Sequence, residues 1–280
     1  MDDAKEVWSI ELEILNEVRR ICEKNDIKYF ADSGTLLGAI RHNGFIPWDD
    51  DIDISMFRED YDRFRKVAEE CLSEKFFCQS GYNDTGFYGG MLHIRMNGTT
   101  AILKRNYPHA RYHQGIFIDI FPLDGVIENR FLLKIQTFIK KSLNAVMAYK
   151  SHGRSIRSKI RDTVLFLPAL LPQKLLFALF ERVCGWKKAD KSEFISCVSY
   201  FGTTAKLKRS CYERTETHVF ETTTIPVPAG YDAILSSLYG SDYMTPKKTA
   251  SDHGDVFFDT KHSYRDYLDG KLPTPEELRI

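Results

Sequence analysis

The sequence has no excess of either charge, because 39 Lys and Arg residues balance 39 Asp and Glu residues. This balance excludes a protein that is basic over its whole surface and coats nucleic acid. The six cysteines include no CxxC pair and no dense framework, which favours free thiols in a reducing compartment over a secreted disulfide scaffold. The acidic, amphipathic N-terminus lacks the pattern of a signal peptide. We therefore expect a cytoplasmic protein.

The chain also lacks an uninterrupted apolar run long enough to cross a membrane. The most apolar stretch, residues 163–180, is divided by Pro168, Pro172 and Lys174. Two prolines and a charge break a helix into short pieces, which argues against a membrane-spanning segment.

That apolar stretch lies inside the most basic part of the chain. Residues 130–191 contain 14 Lys and Arg but only 3 Asp and Glu, a balance of +11. The pattern predicts a helical subdomain over 128–192. Its apolar faces either pack on the body of the protein or rest on an anionic membrane at its inner face.

What the sequence does contain is a globular composition of 280 residues with 43% hydrophobic and 13% aromatic side chains. This composition excludes disorder, and the length suits one large domain or two small ones. We predict a core over 1–127, the basic helical subdomain over 128–192, and a C-terminal segment over 193–280 that packs on the core.

Hydrophobic periodicity indicates a mixture of helices and strands. Apolar residues recur at helical spacing over 7–21 and 57–71. Alternating or strongly apolar patterns predict strands at 51–55, 91–96 and 116–121. The mixture is typical of an α+β or α/β protein.

The most informative motif is an acidic cluster at residues 49–53. Asp49, Asp50, Asp51 and Asp53 repel one another, and Asp is a poor strand former. In an extended chain, Asp51 and Asp53 lie on the same face, roughly 7 Å apart at about 3.3 Å per residue. Carboxylates in this arrangement predict a site for Mg²⁺ or Mn²⁺, with Asp49 continuing the same face.

Two simpler explanations of the cluster fit less well. Isoleucines at 52 and 54 bury the opposite face, which argues against a solvated acidic turn. An EF-hand loop beginning at Asp49 would place Ile54 where glycine is required and Asp60 where glutamate is required.

A third carboxylate comes from the apolar strand at 116–121, which Asp119 interrupts. A buried charge requires a partner. Either a salt bridge to a basic residue or a metal shared with Asp51 and Asp53 would supply it. Asp124 follows in a predicted turn and is expected to act as a cap.

A small-residue turn precedes the acidic cluster. Ser33, Gly34 and Thr35 lie between a predicted strand and a predicted helix, where free N–H groups and the helix dipole favour an anion. Thr35 would alternatively serve as an N-cap. Arg41, at the end of that helix, would pair either with a phosphate or with the carboxylates of Asp49 and Asp50.

Three stretches carry a resemblance to a known family. They are ADSGTLLGAIRHNGFIPWDDDIDI at 31–54, GIFIDIFPLDG at 115–125 and, more loosely, YGSDYMTP at 239–246. The chain resembles the LicD family, which is related to fukutin and the fukutin-related proteins. The likeness covers about 5–125 and 225–255, whereas 128–192 carries no motif of this kind.

The resemblance implies an α+β, nucleotidyltransferase-like mixed sheet with flanking helices and a basic helical insertion. It also implies a phosphotransferase that moves phosphocholine from CDP-choline to a cell-surface glycan, as in lipopolysaccharide or teichoic acid, or to its lipid-linked precursor. Relatives of this family use CDP-ribitol.

The resemblance assigns roles to individual residues as well. Asp49, Asp51 and Asp53 would bind metal, and Asp119 would be the distal carboxylate. The nucleotide phosphates would meet the turn at 33–35.

Three further residues are expected to contact the substrate, namely His93, Arg95 and His253. The family often has lysine at the position of His93. His253 stands where some relatives have paired histidines.

The expected catalytic residues are Asp51, Asp53 and Asp119, with Mg²⁺ or Mn²⁺ as cofactor. The donor would be a CDP-alcohol and the acceptor a glycan or a lipid-linked glycan, with no nucleic acid partner. Two alternatives stay open. One is a nucleotidyltransferase that uses a nucleoside triphosphate, and the other is a catalytically silent metal-binding or glycan-binding relative.

Overall fold

A central mixed β-sheet with helices packed around it organises the protein. The computed structural model describes residues 2–152, 165–247 and 255–278. The helices in these ranges are α1 (Asp2–Lys24), α2 (Ser33–Arg41), α3 (Arg58–Cys71), α4 (Arg130–His152), α5 (Gln173–Cys184), α6 (Tyr231–Tyr239) and α7 (Tyr264–Leu268). The strands are β1 (Phe30–Ala31), β2 (Asp53–Phe57), β3 (Phe76–Gln79), β4 (Leu92–Met96), β5 (Thr100–Leu103), β6 (Phe117–Gly125), β7 (Phe194–Ser196), β8 (Leu207–Lys208), β9 (Thr215–Phe220), β10 (Thr223–Pro228) and β11 (Val256–Asp259).

The main sheet has seven strands, with β6 near its centre. The order along the sheet is β1-β2-β6-β4-β3, and β7 joins the far end of β6 and pairs with β8. Strands β2 and β6 are parallel, whereas the other pairs are antiparallel. The mixed sheet with flanking helices confirms the α+β class.

The predicted helices and strands are present, with shifted ends at two places near the acidic cluster. Strand β2 begins at Asp53, so Asp51 precedes it. Strand β6 runs on through Asp124, which was expected to be a cap in a turn. That expectation was wrong, because Arg58 donates two hydrogen bonds of 2.8 and 2.7 Å to the Asp124 carboxylate and stabilises it inside the strand.

The core forms where α1 packs on the sheet. Its buried residues Val7, Ile14 and Val18 belong to the same apolar cluster as Ile118 and Ile120 of β6. Burial of these large apolar side chains is the main stabilising contribution to the fold.

Helices α4 and α5 form an antiparallel pair beside the sheet. Their inner faces share a smaller apolar cluster that includes Val146, Met147, Phe177 and Phe180. The described part of 128–192 is thus largely helical, and its treatment as a separate subdomain stays a prediction. Within the described ranges, every helix is too short or too polar to cross a membrane.

The C-terminal part returns to the core at several places. Strands β9 and β10 form an antiparallel hairpin. Strand β11 pairs with β5, with Phe257 opposite Ile102. The chain therefore brings residues beyond 193 next to elements from its first half.

Candidate active site

Three buried carboxylates meet where β2 and β6 lie side by side. Asp53 opens β2 and lies directly opposite Asp119 in the parallel register. Asp51 approaches from the segment before β2. One carboxylate oxygen from each of the three lies within 4.8 Å of the other two, and all three residues are buried. The structure thus brings together the three aspartates that the sequence predicted as a set.

Electrostatics make this cluster unfavourable without a cation. Burial raises the pKa of Asp53 well above its usual range, and the charges of Asp51 and Asp119 raise it further. Oδ1 of Asp53 is buried and has no hydrogen-bond donor among the described residues. Carboxylate oxygens are the ligands that Mg²⁺ and Mn²⁺ prefer, so this donor set fits the expected metal.

A second acidic group lies beside the first. Single oxygens of Asp49, Asp50 and Asp51 also fall within 4.8 Å of one another, in a more exposed setting. Helix α1 holds this loop, because the indole nitrogen of Trp8 donates a 3.0 Å hydrogen bond to the carbonyl of Asp49.

Helix α1 contributes a carboxyl that the sequence reasoning missed. Glu11 is 1% exposed. Burial raises its pKa well above the usual range, and the charges of Asp51 and Asp50 add to this effect. The sequence did hold a signal, because Glu11 lies at helical spacing between Val7 and Ile14 on the apolar face of α1.

The first turn of α2 borders the acidic loop closely. A Cβ atom added to Gly34 would lie 2.5 Å from Oδ2 of Asp49, so only glycine permits this approach. Ser33 has φ of +46°, a strained value for a serine. Its N–H donates a 2.7 Å hydrogen bond to Oδ1 of Asp32, the N-cap residue of α2.

Thr35 does not line the cavity, in contrast to Ser33 and Gly34. It is buried, and its Oγ1 accepts a 2.8 Å hydrogen bond from the backbone N–H of Asp53. A second bond, 3.0 Å long, joins the N–H of Asp32 to the carbonyl of Asp53. The N-terminus of α2 is therefore bonded to both the backbone N–H and the backbone carbonyl of Asp53, the first residue of β2.

His93 and Arg95 lie behind Asp119 on β4. Nε2 of His93 is 3.2 Å from Oδ1 of Asp119, and Nδ1 is 2.6 Å from a guanidinium nitrogen of Arg95. Because a guanidinium only donates, Nδ1 is the acceptor and the ring carries its proton on Nε2, toward Asp119. Arg95 is in turn held by Gln79 and by the carbonyl of Gly115.

A cavity of about 670 Å³ opens in front of the carboxylates. Of the residues predicted for the site, it is lined by Ser33, Gly34, Arg41, Asp49, Asp51 and Asp53. Thr35, His93, Arg95 and Asp119 lie behind this wall. The structure places His93 and Arg95 next to Asp119 and outside the set of residues that line the cavity, and their contact with substrate stays a prediction. His253 lies outside the described residues.

Aromatic side chains form the other walls of the cavity. Phe121 lies 5.6 Å from Tyr200 and 5.8 Å from Phe201, measured between ring centroids. Tyr239 and Tyr243, from the stretch 239–246, also line the cavity. Arg41 donates a 2.7 Å hydrogen bond to the carbonyl of Tyr243, which joins this stretch to α2.

Part of the chain is similar to a known protein family. Residues 26–150 match the model described as LicD/FKTN/FKRP, nucleotidyltransferase domain. This range contains the carboxylates, the turn at 33–35, and the pair His93 and Arg95.

Individual relatives agree with this match. The chain is 38% identical over 118 residues to the lipopolysaccharide cholinephosphotransferase LicD of Haemophilus influenzae, covering 41% of this chain and 42% of that protein. It is 41% identical over 70 residues to an uncharacterised protein of Rickettsia typhi, covering 25% and 21%. It is 42% identical over 40 residues to the human ribitol 5-phosphate transferase FKRP, covering 14% and 8%.

The chain thus matches less than half the length of each of these relatives. The match to the LicD/FKTN/FKRP nucleotidyltransferase-domain model covers residues 26–150, which is somewhat less than half of this chain.

Proposed function

We propose that the protein is a metal-dependent transferase of a phospho-alcohol group. The donor is CDP-choline, and the acceptor is a hydroxyl of a cell-surface glycan or its lipid-linked precursor. The observation that carries the proposal is the convergence of the buried Asp51, Asp53 and Asp119, of which the first two line the cavity. The LicD and FKRP relatives, a cholinephosphotransferase and a ribitol 5-phosphate transferase, support this class of reaction.

The carboxylates would hold the metal. Asp51, Asp53 and Asp119 supply oxygens within reach of one ion, and Asp49 and Asp50 extend the acidic surface toward the cavity. When bound, Mg²⁺ or Mn²⁺ would neutralise charge on the diphosphate and on the leaving CMP.

The remaining groups orient the reactants. The turn at 33–35 presents the N-terminus of α2 to the cavity, where a helix dipole favours phosphate. The acceptor oxygen attacks the phosphorus that bears the head group, the bond from that phosphorus to CMP breaks, and an aspartate carboxylate receives the hydroxyl proton. His93 would hold Asp119 in place as a metal ligand.

The aromatic wall favours choline among the possible head groups. Phe121 is two residues beyond Asp119 on β6, so it lies on the same face, about 7 Å along the strand at ~3.3 Å per residue. With Tyr200 and Phe201 it offers aromatic faces beside an acidic site. Such faces attract a quaternary ammonium group.

Product analysis with a panel of donors tests the proposal. The protein is incubated with Mg²⁺ and CDP-choline, CDP-ribitol or CDP-glycerol, together with an acceptor glycan, and released CMP is measured. We expect CMP with CDP-choline and none with Asp53→Asn. Release of pyrophosphate from a nucleoside triphosphate would indicate nucleotidyl transfer instead. Metal binding without turnover of any donor would indicate a catalytically silent relative.

A further inference from the structure

The outer faces of α4 and α5, with the segment before α5, expose apolar side chains to an unusual degree. Phe131 and Phe138 are 71% and 72% exposed, and Leu167 is 71% exposed. Of fifteen large apolar residues exposed in the described ranges, ten lie between 131 and 186. The others are Tyr200, Phe201 and Tyr239, which line the cavity, and Val219 and Met244, so the apolar surface is concentrated on this helix pair.

These exposed residues form ordered stripes. Phe131 and Phe138 are seven residues apart, which places them two turns apart on one face of α4. Leu171, Leu175 and Leu179 are each four residues apart along α5 and the residues before it. The inner faces already have their own buried cluster, so the exposed stripes are additional apolar surface. We call these two stripes together the outer apolar face.

Cations surround the outer apolar face, and acidic groups are absent from its described part. In 130–152 and 165–188 there are nine Lys and Arg residues and one acidic residue, Glu181. Glu181 faces inward, where it accepts hydrogen bonds from Arg58 and Tyr82. On α4, Lys134 and Lys141 lie at helical spacing with Phe131 and Phe138.

We propose that the outer apolar face binds the surface of a bilayer that contains anionic lipid. A helix surface that combines large apolar residues with Lys and Arg is typical of helices that lie in the membrane interface. Negative lipid headgroups supply the charge that complements this face. A symmetric dimer through the same face would bring like charges together, which costs free energy.

The position of the face connects it to the cavity. Val198 is buried in the cluster shared by α4 and α5, and Lys140 donates a 2.7 Å hydrogen bond to its carbonyl. Two and three residues further along the chain, Tyr200 and Phe201 line the cavity wall. Helix α4 would therefore link a bilayer on its outer face to the loop that borders the site.

Vesicle sedimentation with the full chain tests this proposal without any donor or acceptor, so its result is independent of the proposed function. The protein is mixed with phosphatidylcholine vesicles, or with vesicles that also contain phosphatidylglycerol, at low and high salt. We expect retention on the anionic vesicles, weaker retention at high salt, and little on phosphatidylcholine alone. No retention on anionic vesicles at low salt would overturn the proposal.

Paired variants distinguish binding through the outer apolar face from non-specific adsorption of the protein to vesicles. Phe138→Ser should lower the partition coefficient roughly tenfold, and Lys134→Ala and Lys141→Ala about fivefold each. Matched controls are Val219→Ser and Lys208→Ala, which are exposed elsewhere and should change nothing. Thermal unfolding confirms that each variant folds. Equal losses in the controls would contradict the assignment, as would sedimentation velocity showing a dimer that Phe138→Ser dissociates.

Discussion

The side chain of Thr35 accepts a hydrogen bond from the backbone N–H of Asp53 over 2.8 Å. This bond joins the first turn of α2, which borders the cavity, to the first residue of β2, which carries a candidate metal ligand. Two parts of the proposed site, the turn and the carboxylates, therefore share one rigid connection.

The first prediction removes that connection. Thr35→Val keeps the size of the side chain but leaves the buried N–H of Asp53 without an acceptor, which costs about 1–3 kcal/mol. We expect a lower melting temperature and a roughly tenfold lower kcat for CMP release. Thr35→Ser keeps the hydroxyl and should stay close to the parent protein. Equal turnover in the two variants would show that the bond has no role in positioning Asp53.

The second prediction compares two buried aspartates of the same strand. Asp119→Asn should abolish binding of Mn²⁺ or Mg²⁺ in calorimetry and preserve the fold, because it removes a carboxylate from a repelling cluster. Asp124→Asn should preserve metal binding but lower the free energy of unfolding by about 3 kcal/mol, since it breaks the buried pair with Arg58. The opposite pattern would exclude Asp119 as a ligand.

The third prediction concerns the histidine that supports Asp119. His93→Phe keeps a ring of similar size but removes the N–H that faces Oδ1 of Asp119, and it should lower metal affinity or turnover about 10- to 100-fold. His262 is a suitable control, because its ring lies 2.9 Å from Asp259 and does not line the cavity. His262→Phe should leave both quantities unchanged. If His93 contacts the donor instead, its loss would raise KM without weakening metal binding.

The fourth prediction is a dependence of stability on pH. Burial lowers the pKa of His113 to about 3, and the nearby Arg95 and Arg265 add to this effect. The unfolded chain binds a proton near pH 6.5 that the folded chain does not, so stability is full above 6.5 and falls with acidification toward 3. The loss is about 1.4 kcal/mol per pH unit, or about 2 kcal/mol at pH 5.

Urea unfolding at pH 7 and pH 5 measures this loss. In His113→Gln the difference between the two pH values should shrink by about 2 kcal/mol, whereas the exposed His109→Gln should keep it. An unchanged pH difference in His113→Gln would show that the ring already titrates in the folded protein.

The fifth prediction concerns the choice of head group. Phe201→Leu should raise KM for CDP-choline about fivefold, because it removes an aromatic face for the ammonium group. KM for CDP-glycerol should change little, and Phe201→Tyr should keep both values near those of the parent. Equal increases for the two donors would mean that Phe201 only shapes the cavity.

The sequence carried enough information for the carboxylate centre because its signals are local. An Asp in an apolar strand requires a partner, and the alternation around Asp53 indicates a half-buried strand. These patterns predicted that Asp51, Asp53 and Asp119 would meet. They did not predict that Asp51 precedes β2, because the end of a strand depends on its pairing with β6.

Other parts of the site depend on distant contacts that no local pattern encodes. Tyr200 and Phe201 reach the cavity only through the packing of α4 and α5 beside the sheet. The roles of Thr35 and His93 depend on which way each side chain turns, and both turn toward the protein rather than the cavity. The sequence shows Glu11 as a charged residue in an apolar stripe. Its proximity to Asp50 and Asp51 depends on the tertiary structure and could not be predicted from that stripe.

Because β2 and β6 pair in a fixed register, the carboxylate site tolerates insertions in loops but not insertions within these strands. Side chains alternate between the two faces of a strand, so inserting one residue among 117–119 would turn Asp119 toward the apolar face and present an isoleucine to the proposed metal site. An insertion in the loop at 82–86 leaves that alternation untouched. Insertions and deletions among homologous chains should therefore occur in loops and be absent from β2 and β6.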